Sequence, residues 1–433
     1  MVTGWIDQLT RFERDVTDAE RIDQLRALEQ LKAAAAAAQA RITVDLDTSV
    51  RATHADAGIP ADRQGRGVAA QVALARQESP YKGGRHLGLA KVLAGEMPHT
   101  LAALERGLIS EWQATLLARE TLFLSREHRQ LIDTQLCADP TVLDGWGDRR
   151  LTNEIQQRAY QLDPAGFTKR RGNAESERRV TSRPAPDTMA RVSALLPVAQ
   201  GVAVYAALCQ AADAAIAAGN GRSRGQLMAD ILVQRVTGQA TATGVPVEIH
   251  LVMSECTLLE EGKNGDRPAH LIGYGPIPAD LARRLAVSAA DAEVAWLRRL
   301  YATPDTGRLI GMDSQRRIFP AGLAKFIEVR DQYCSTPWCD APIRHIDHAL
   351  PHHQHGATSE DNGNGVCAQC NYARQAPDWQ IRPEDGPRHT LRVTTPTGHS
   401  YRSTAPAPPG HPRTERRHPT GRRARRTPAG RVP

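Results

Sequence analysis

The chain has 433 residues, room for two or three domains, and 41% of them are hydrophobic, enough for real cores. Aromatic residues make up only 4%, while Ala and Arg are plentiful, a composition that suits a helix-rich protein. The net charge of +7 is concentrated: Arg402 to Arg431 holds nine arginines against one glutamate, which leaves the remainder near neutral and sets the basic character apart from the folded body.

No run of about 18 apolar residues exists, so no membrane span is expected. The opening residues Met1–Asp15 lack a basic region followed by an apolar one, so no signal peptide is expected and the compartment expected is the cytoplasm.

In chain order, Thr17-Asp18-Ala19-Glu20 forms a capping box that should start a helix. Ile22, Leu25 and Leu28, then Ile42, Leu46 and Val50, recur at helical spacing with alanines between them. One long helix ending near Gly58-Ile59-Pro60 is expected, packed within its domain or, alternatively, paired with a second copy. From His86 to about Gly238 the chain reads as mostly helices, among them Leu101–Gly107 and Ser110–Leu117. The charged stretch Lys169–Arg179 should begin an exposed connection, with Asp187-Thr188 capping a region over Met189–Leu196 that breaks at Pro197. Gly201–Ala218 and Gln226–Thr237 are further helices. Cys137, Cys209 and Cys256 are isolated and expected as small buried residues.

Val245, Val247, Ile249, Leu251 and Met253 alternate as in a strand. Leu271–Ile277 ends in turn chemistry, and Pro278 suits the first turn of a helix running to about Ala286. Asp291–Tyr301 reads as a helix, Thr303–Gly307 as a turn, and Arg308–Met312 with Arg316–Ile318 as a hairpin. Ala321–Asp331 is a helix that delivers the chain to Cys334. Arg298, Arg299, Arg316, Arg317 and Arg330 are either solvated or in contact with a DNA backbone.

The stretch Arg330–Trp379 carries the chemistry. Cys334 and Cys339 are spaced C-x4-C, Cys367 and Cys370 C-x2-C, with 27 residues between the pairs. Two close pairs can place four thiolates around one Zn²⁺. Disulfides are the other option, disfavoured because nothing suggests secretion. Between the pairs lie Asp347-His348, a polar Gly-rich loop and Asn362, and Asn371 follows the last cysteine. A lone Asp-His pair is ordinarily a polar strand end, and His345, His352, His353 and His355 read mostly as solvated loop residues. The window holds six acids against three arginines, so it offers little positive charge of its own.

This arrangement resembles the HNH endonucleases, the ββα-metal nucleases, with Asn in the third position. The resemblance implies roles. His348 would be the base that activates water, Asp347 and Asn371 the ligands of a catalytic Mg²⁺ or Mn²⁺, and Asn362 would pin the loop and orient the His348 ring. The cysteines would hold a structural zinc, and Arg374 would reach a phosphate. The products would carry 5′-phosphate ends. Upstream, HLGLA…MPHTLAALERGLISEWQATLLA, RGQLMADILVQRVTG and HLIGYGPIP resemble the helical domain that precedes HNH modules in a large bacterial family, domain of unknown function 222. Together the resemblances cover most of residues 20 to 400.

The expected fold class is mainly α with a small α+β module. Residues 1–240 form the helical domain, 241–325 a mixed strand and helix connector, 326–400 the zinc-stabilised HNH module and 401–433 a disordered basic tail. Within the module a strand is expected over Arg344–Leu350, a short and weak one near Gly365–Val366, a helix from Ala368 stopped by Pro377, and a small hairpin around Leu391–Val393. Arg416, Arg417, Arg422, Arg423, Arg425 and Arg426 of the tail are expected to tether nucleic acid. The function expected is DNA phosphodiester hydrolysis, nicking as a monomer, with DNA as partner, a homodimer as an option, and no membrane or small-molecule cofactor. The alternatives are a zinc-stabilised DNA-binding module without useful catalysis and an interaction protein built on the helical domain.

Overall fold

A computed structural model describes residues 2–11, 13–239, 250–259, 266–291 and 318–408. These residues are mainly helical, with small antiparallel sheets.

Helix α1 (Val2–Thr10) precedes the long α2 (Asp18–Asp56). The capping box is formed at Thr17, whose hydroxyl accepts from the Glu20 amide while the Glu20 carboxylate accepts from the Thr17 amide. Alanine makes the packing of α2 possible. Ala33, Ala36 and Ala37 are buried where α2 meets α4 (Pro80–Glu96) and α5 (Pro98–Glu105), which follow α3 (Val68–Ala75). Packing within the domain therefore holds for the distal half of α2, while Ile22 and Leu25 at its start are exposed. Asp47 sits at this seam, buried, with Arg51 Nε at 2.7 Å and Lys91 Nζ at 2.8 Å as counter-charges.

Helices α6 (Glu111–Thr121), α7 (Arg126–Cys137) and α8 (Asp148–Leu162) close the core around Leu93, Met97, Leu104, Leu117, Ile132, Leu136, Leu151 and Ile155. The buried Asp133 of α7 caps α5 from across the core, accepting from the amides of His99 (2.8 Å) and Thr100 (2.7 Å). Cys137 lies in this core, and burial pushes its thiol up to about 11. Cys209 and Cys256 are only half-buried.

Two expectations fail here. Lys169–Ser176 is helical, part of α9 (Pro164–Ser176), rather than the start of a connection. Asp187 and Thr188 do not cap a helix. They turn a hairpin between β1 (Arg179–Ala185) and β2 (Met189–Leu195), both at φ near +60°. Aspartate visits the left-handed region more readily than most residues, so a pattern that suits an N-cap also suits this turn. Helices α10 (Val198–Ala217) and α11 (Arg224–Thr237) follow as expected, and α11 ends at Gly238 in the left-handed conformation.

The connector supplies β3 (Leu251–Val252), α12 (Glu255–Leu259), β4 (Ala269–Leu271), β5 (Gly275–Ile277) and α13 (Ala279–Asp291), with the sheet ordered β3-β4-β5. Val245, Val247 and Ile249, the helix beyond Asp291, the turn at Thr303–Gly307 and most of the hairpin at Arg308–Ile318 lie outside the described residues. Arg298, Arg299, Arg316 and Arg317 do also.

The C-terminal part runs through α14 (Ala321–Asp331), β6 (His345–His348), β7 (Gly363–Val366), α15 (Ala368–Ala373), β8 (Gln380–Glu384), β9 (Thr390–Thr394) and β10 (Ser400–Thr404). The expected hairpin is in fact three-stranded, ordered β10-β9-β8, and its last strand takes in residues 401–404, assigned to the tail, so Arg402 belongs to the folded body. Arg416, Arg417, Arg422, Arg423, Arg425 and Arg426 lie outside the described residues. One face of this sheet buries Ile381, Leu391 and Val393, and Leu74 of α3 enters the same cluster. Nearby, Thr397 Oγ1 donates to Gln71 Oε1 at 3.1 Å. The helical domain is thus seated directly on the cysteine-bearing module.

Candidate metal centre and the adjoining cleft

The four cysteines come together although 27 residues separate the pairs. Their sulfurs all lie within 4.8 Å of one another and all four residues are buried. Cys339 Sγ is 3.7 Å from Cys367 Sγ and 3.6 Å from Cys370 Sγ. A regular tetrahedron with metal–sulfur bonds of about 2.3 Å has edges of about 3.8 Å, so the donor set fits a metal such as zinc. The hydrogen bonds that the four thiols share hold Cys334 below and Cys339 and Cys370 above the ordinary thiol range. Cys367 also caps α15, its Sγ accepting from the Cys370 amide.

Strand β7 ties the knuckles to the Asp-His strand. Ser335 N donates to Gly365 O (2.8 Å) and Arg344 N to Val366 O (2.9 Å). Pairing with β6 sets Asp347 opposite Asn364 and His348 opposite Gly363. The glycines of β7 are not a weakness. A Cβ on Gly363 would lie 2.4 Å from Ile327 Cδ1, and one on Gly365 2.4 Å from Ile343 Cδ1. Both absences let neighbouring side chains press onto the strand, and all of β7 is buried.

Asn362 pins the loop as the resemblance implies. Its Oδ1 accepts from Leu350 N (2.8 Å), and its Nδ2 donates to Leu350 O (2.9 Å) and Ala357 O (2.8 Å). Gly356 permits this clamp, since a Cβ there would stand 1.8 Å from Leu350 O. The His348 ring has a different partner: its Nε2 is 2.8 Å from Thr358 Oγ1, and Phe319 lies against it at 4.6 Å between ring centroids. These Asn362 side-chain bonds go to the loop backbone at Leu350 and Ala357 rather than to the ring. Thr358 and Phe319 were not singled out from sequence, since neither sits in the motif spacing.

Asp347, His348, His352, Asn371, Arg374 and Trp379 are among the residues lining one cleft of about 890 Å³. Asp347 Oδ1 accepts from the His348 amide at 2.8 Å. The Asn371 side-chain oxygen is buried and has no hydrogen-bond partner among the described residues, a costly state for a carbonyl oxygen unless something else meets it. His352, His353 and His355 are exposed, and the His352 ring lies 5.8 Å from that of His348.

Arg374, expected at a phosphate, is turned inward. Its Nη1 donates to Asn364 Oδ1 at 2.6 Å and its Nη2 approaches Ser335 Oγ and Thr336 Oγ1 at 3.4 Å each. Burial lowers its pKa, against the pull of the cysteine thiolates and Asp347. Asn364 is the hub of this arrangement, since its Nδ2 also donates to Asp347 O at 2.9 Å. Arg330, one of the arginines considered for DNA contact, is buried. It pairs with Asp331 at 2.7 Å and donates to Gly363 O at 2.7 Å. Asp331 Oδ2 in turn accepts from Gly365 N at 2.7 Å. Beside this pair, burial and the Arg330 charge push His389 down to about 4.

Among the described residues, no helix is long and apolar enough to cross a membrane. The molecule is therefore a mainly helical protein carrying a buried four-cysteine cluster that can bind a metal. A profile of the domain of unknown function DUF222 matches residues 23–331, and the chain belongs to that family. The match stops at Asp331, short of Cys334, so the cysteine cluster and the cleft lie beyond it. The chain is 26% identical over 381 residues to the uncharacterized protein Rv3776 of Mycobacterium tuberculosis, covering 77% of this chain and 69% of that protein. No solved structure matches.

Proposed function

We propose that the chain is a metal-dependent endonuclease of the HNH type that hydrolyses DNA phosphodiester bonds, nicking as a monomer, with zinc held by Cys334, Cys339, Cys367 and Cys370 for structure. The observation that carries this reading is the buried, unpartnered Asn371 oxygen on the cleft that Asp347 and His348 also line. Asp347 and Asn371 offer hard oxygen donors that would hold Mg²⁺ or Mn²⁺, and such an ion supplies positive charge against the charge that develops on phosphate.

His348 takes the proton from the attacking water. Thr358 and Phe319 fix its ring, and a neutral imidazole is suited to that task near neutral pH. Asn362 keeps the loop that carries Thr358 in register with β6. Arg374, occupied by Asn364 and the knuckle, braces the cleft floor, and phosphate contact falls to other residues.

The test is conversion of supercoiled plasmid to nicked circles with Mg²⁺ or Mn²⁺, comparing wild type with His348→Ala and Asn371→Ala at equal zinc content. Nicking by wild type and loss of at least about 100-fold in either variant supports the reading, in line with the worth of a general base. Equal activity in all three, or none in any, refutes it and leaves a zinc-stabilised DNA-binding module.

A further inference from the structure

The C-terminal sheet carries a feature that its own stability does not ask for. In the register of β10-β9-β8, Arg392 stands directly opposite both Arg382 and Arg402. The three arginines form one row across three strands, on the face away from the Ile381, Leu391 and Val393 core, and all three are exposed. Like charges directly opposite in a sheet destabilise it. Among the described residues a single carboxylate answers them: Glu384 pairs with Arg392 and, at 3.3 Å, with Arg402 Nε. Arg402 is further fixed by donating to Asp385 O at 2.7 Å. Arg382 has no acidic partner among the described residues, and it lines the same cleft as His348 and Asn371. The row therefore keeps a net positive charge, holds two of its guanidinium groups in place and ends at the cleft.

We infer that Arg382, Arg392 and Arg402 form a track for the phosphate backbone of a nucleic acid strand leaving the cleft. This inference rests on the nuclease reading for its substrate but on the sheet register for its geometry. Neighbouring strands lie about 4.8 Å apart, so the row spans about 10 Å, a length in which one strand of a duplex presents about three phosphates. The hydroxyls of Thr394 and Ser400, 2.9 Å apart in the next row of the same face, are neutral hydrogen-bonding groups beside the track. Recognition of this kind is independent of sequence and sensitive to salt.

The measurement is fluorescence anisotropy of the full, zinc-loaded chain on a labelled duplex in EDTA-free buffer without Mg²⁺ or Mn²⁺, across a salt series. Each phosphate contact contributes about 0.9 to the slope of log affinity against log salt. Arg382→Gln should lower the slope by about 1, and the triple Arg→Gln variant by about 2 to 3, with a loss of about fivefold in affinity per contact near physiological salt. The triple Arg→Lys variant should keep the slope, because it keeps the charge.

An unchanged slope in the triple Gln variant overturns the track, whatever the basic tail contributes to both proteins. A slope that depends on the row in a chain that never nicks plasmid keeps the track and removes the nuclease. Nicking with an unaltered KM in the triple Gln variant keeps the nuclease and removes the track. A wild-type chain that binds no duplex overturns the track outright.

Discussion

Asp331→Ala tests the clamp that holds β7 in place. Asp331 accepts from Arg330 Nε at 2.7 Å and Nη2 at 3.1 Å, and from the Gly365 amide at 2.7 Å. Its side chain is 3% exposed and that of Arg330 is 7% exposed. Removing the carboxylate leaves a buried guanidinium without its counter-charge and a buried amide without an acceptor. Breaking such a pair costs about 3–5 kcal/mol. Replacing both partners with apolar residues of similar volume, Arg330→Met with Asp331→Leu, should cost much less than the two single changes together, because no orphan charge remains. Hydrogen exchange of the β7 amides reads this directly, at about 1.4 kcal/mol per tenfold in rate. Asp331→Ala should speed exchange over Gly363–Val366 by two to nearly four decades (roughly, from that energy). Acceleration below about tenfold, or a double variant as damaged as the sum of the singles, would refute the reasoning.

Two further outcomes follow from buried groups. His389 is held down to about 4 against about 6.5 in an unfolded chain, so the unfolded state binds more protons between those values. The stability this contributes is present above about pH 6.5 and is lost as pH falls toward 4, by about 3 kcal/mol in all; His389→Gln should flatten the pH dependence of urea unfolding in that window, and an unaltered profile would contradict it. Cys370→Ser should abolish binding of a single zinc per chain, measured by elemental analysis, and loosen β7 exchange, while the core around Leu93 and Ile132, which contains none of the four cysteines, keeps its helical circular dichroism.

What could be read from the sequence was what local chemistry decides. The capping box at Thr17, the extent of Ala321–Asp331 and the meeting of the four cysteines each depend on spacing within a few residues or on a donor set with few uses. What escaped depends on distant partners. Arg330 looks like any surface arginine until Asp331 and the Gly363 carbonyl are seen to enclose it. Gly363 and Gly365 read as a weak strand because the side chains that need the space, Ile327 and Ile343, lie on other elements. Thr358 cannot be matched to His348 without the fold of the loop between them. The hairpin at Asp187-Thr188 was missed for a different reason, since the same residues serve caps and turns.

The seating of α3 on the module bears on what the family domain contributes. The sheet face of Ile381, Leu391 and Val393 is covered partly by the module's own Ala349, Trp379 and Tyr401 and partly by Leu74 of the helical domain. Gly67, at the start of α3, stands where a Cβ would lie 2.8 Å from Trp379 Nε1 and 3.2 Å from Ala376 Cβ. Trp379, Ala376 and Ile381 are also wall residues of the cleft that holds Asp347, His348 and Asn371. The helical domain therefore backs one wall of the cleft without lending it a polar group, and the opposite face of that same wall's sheet carries the arginine row. A chain organised this way couples the domain of unknown function to the cleft through packing, and a substitution at Leu74 or Gly67 would reach the cleft through Trp379 and Ile381 rather than through any charge.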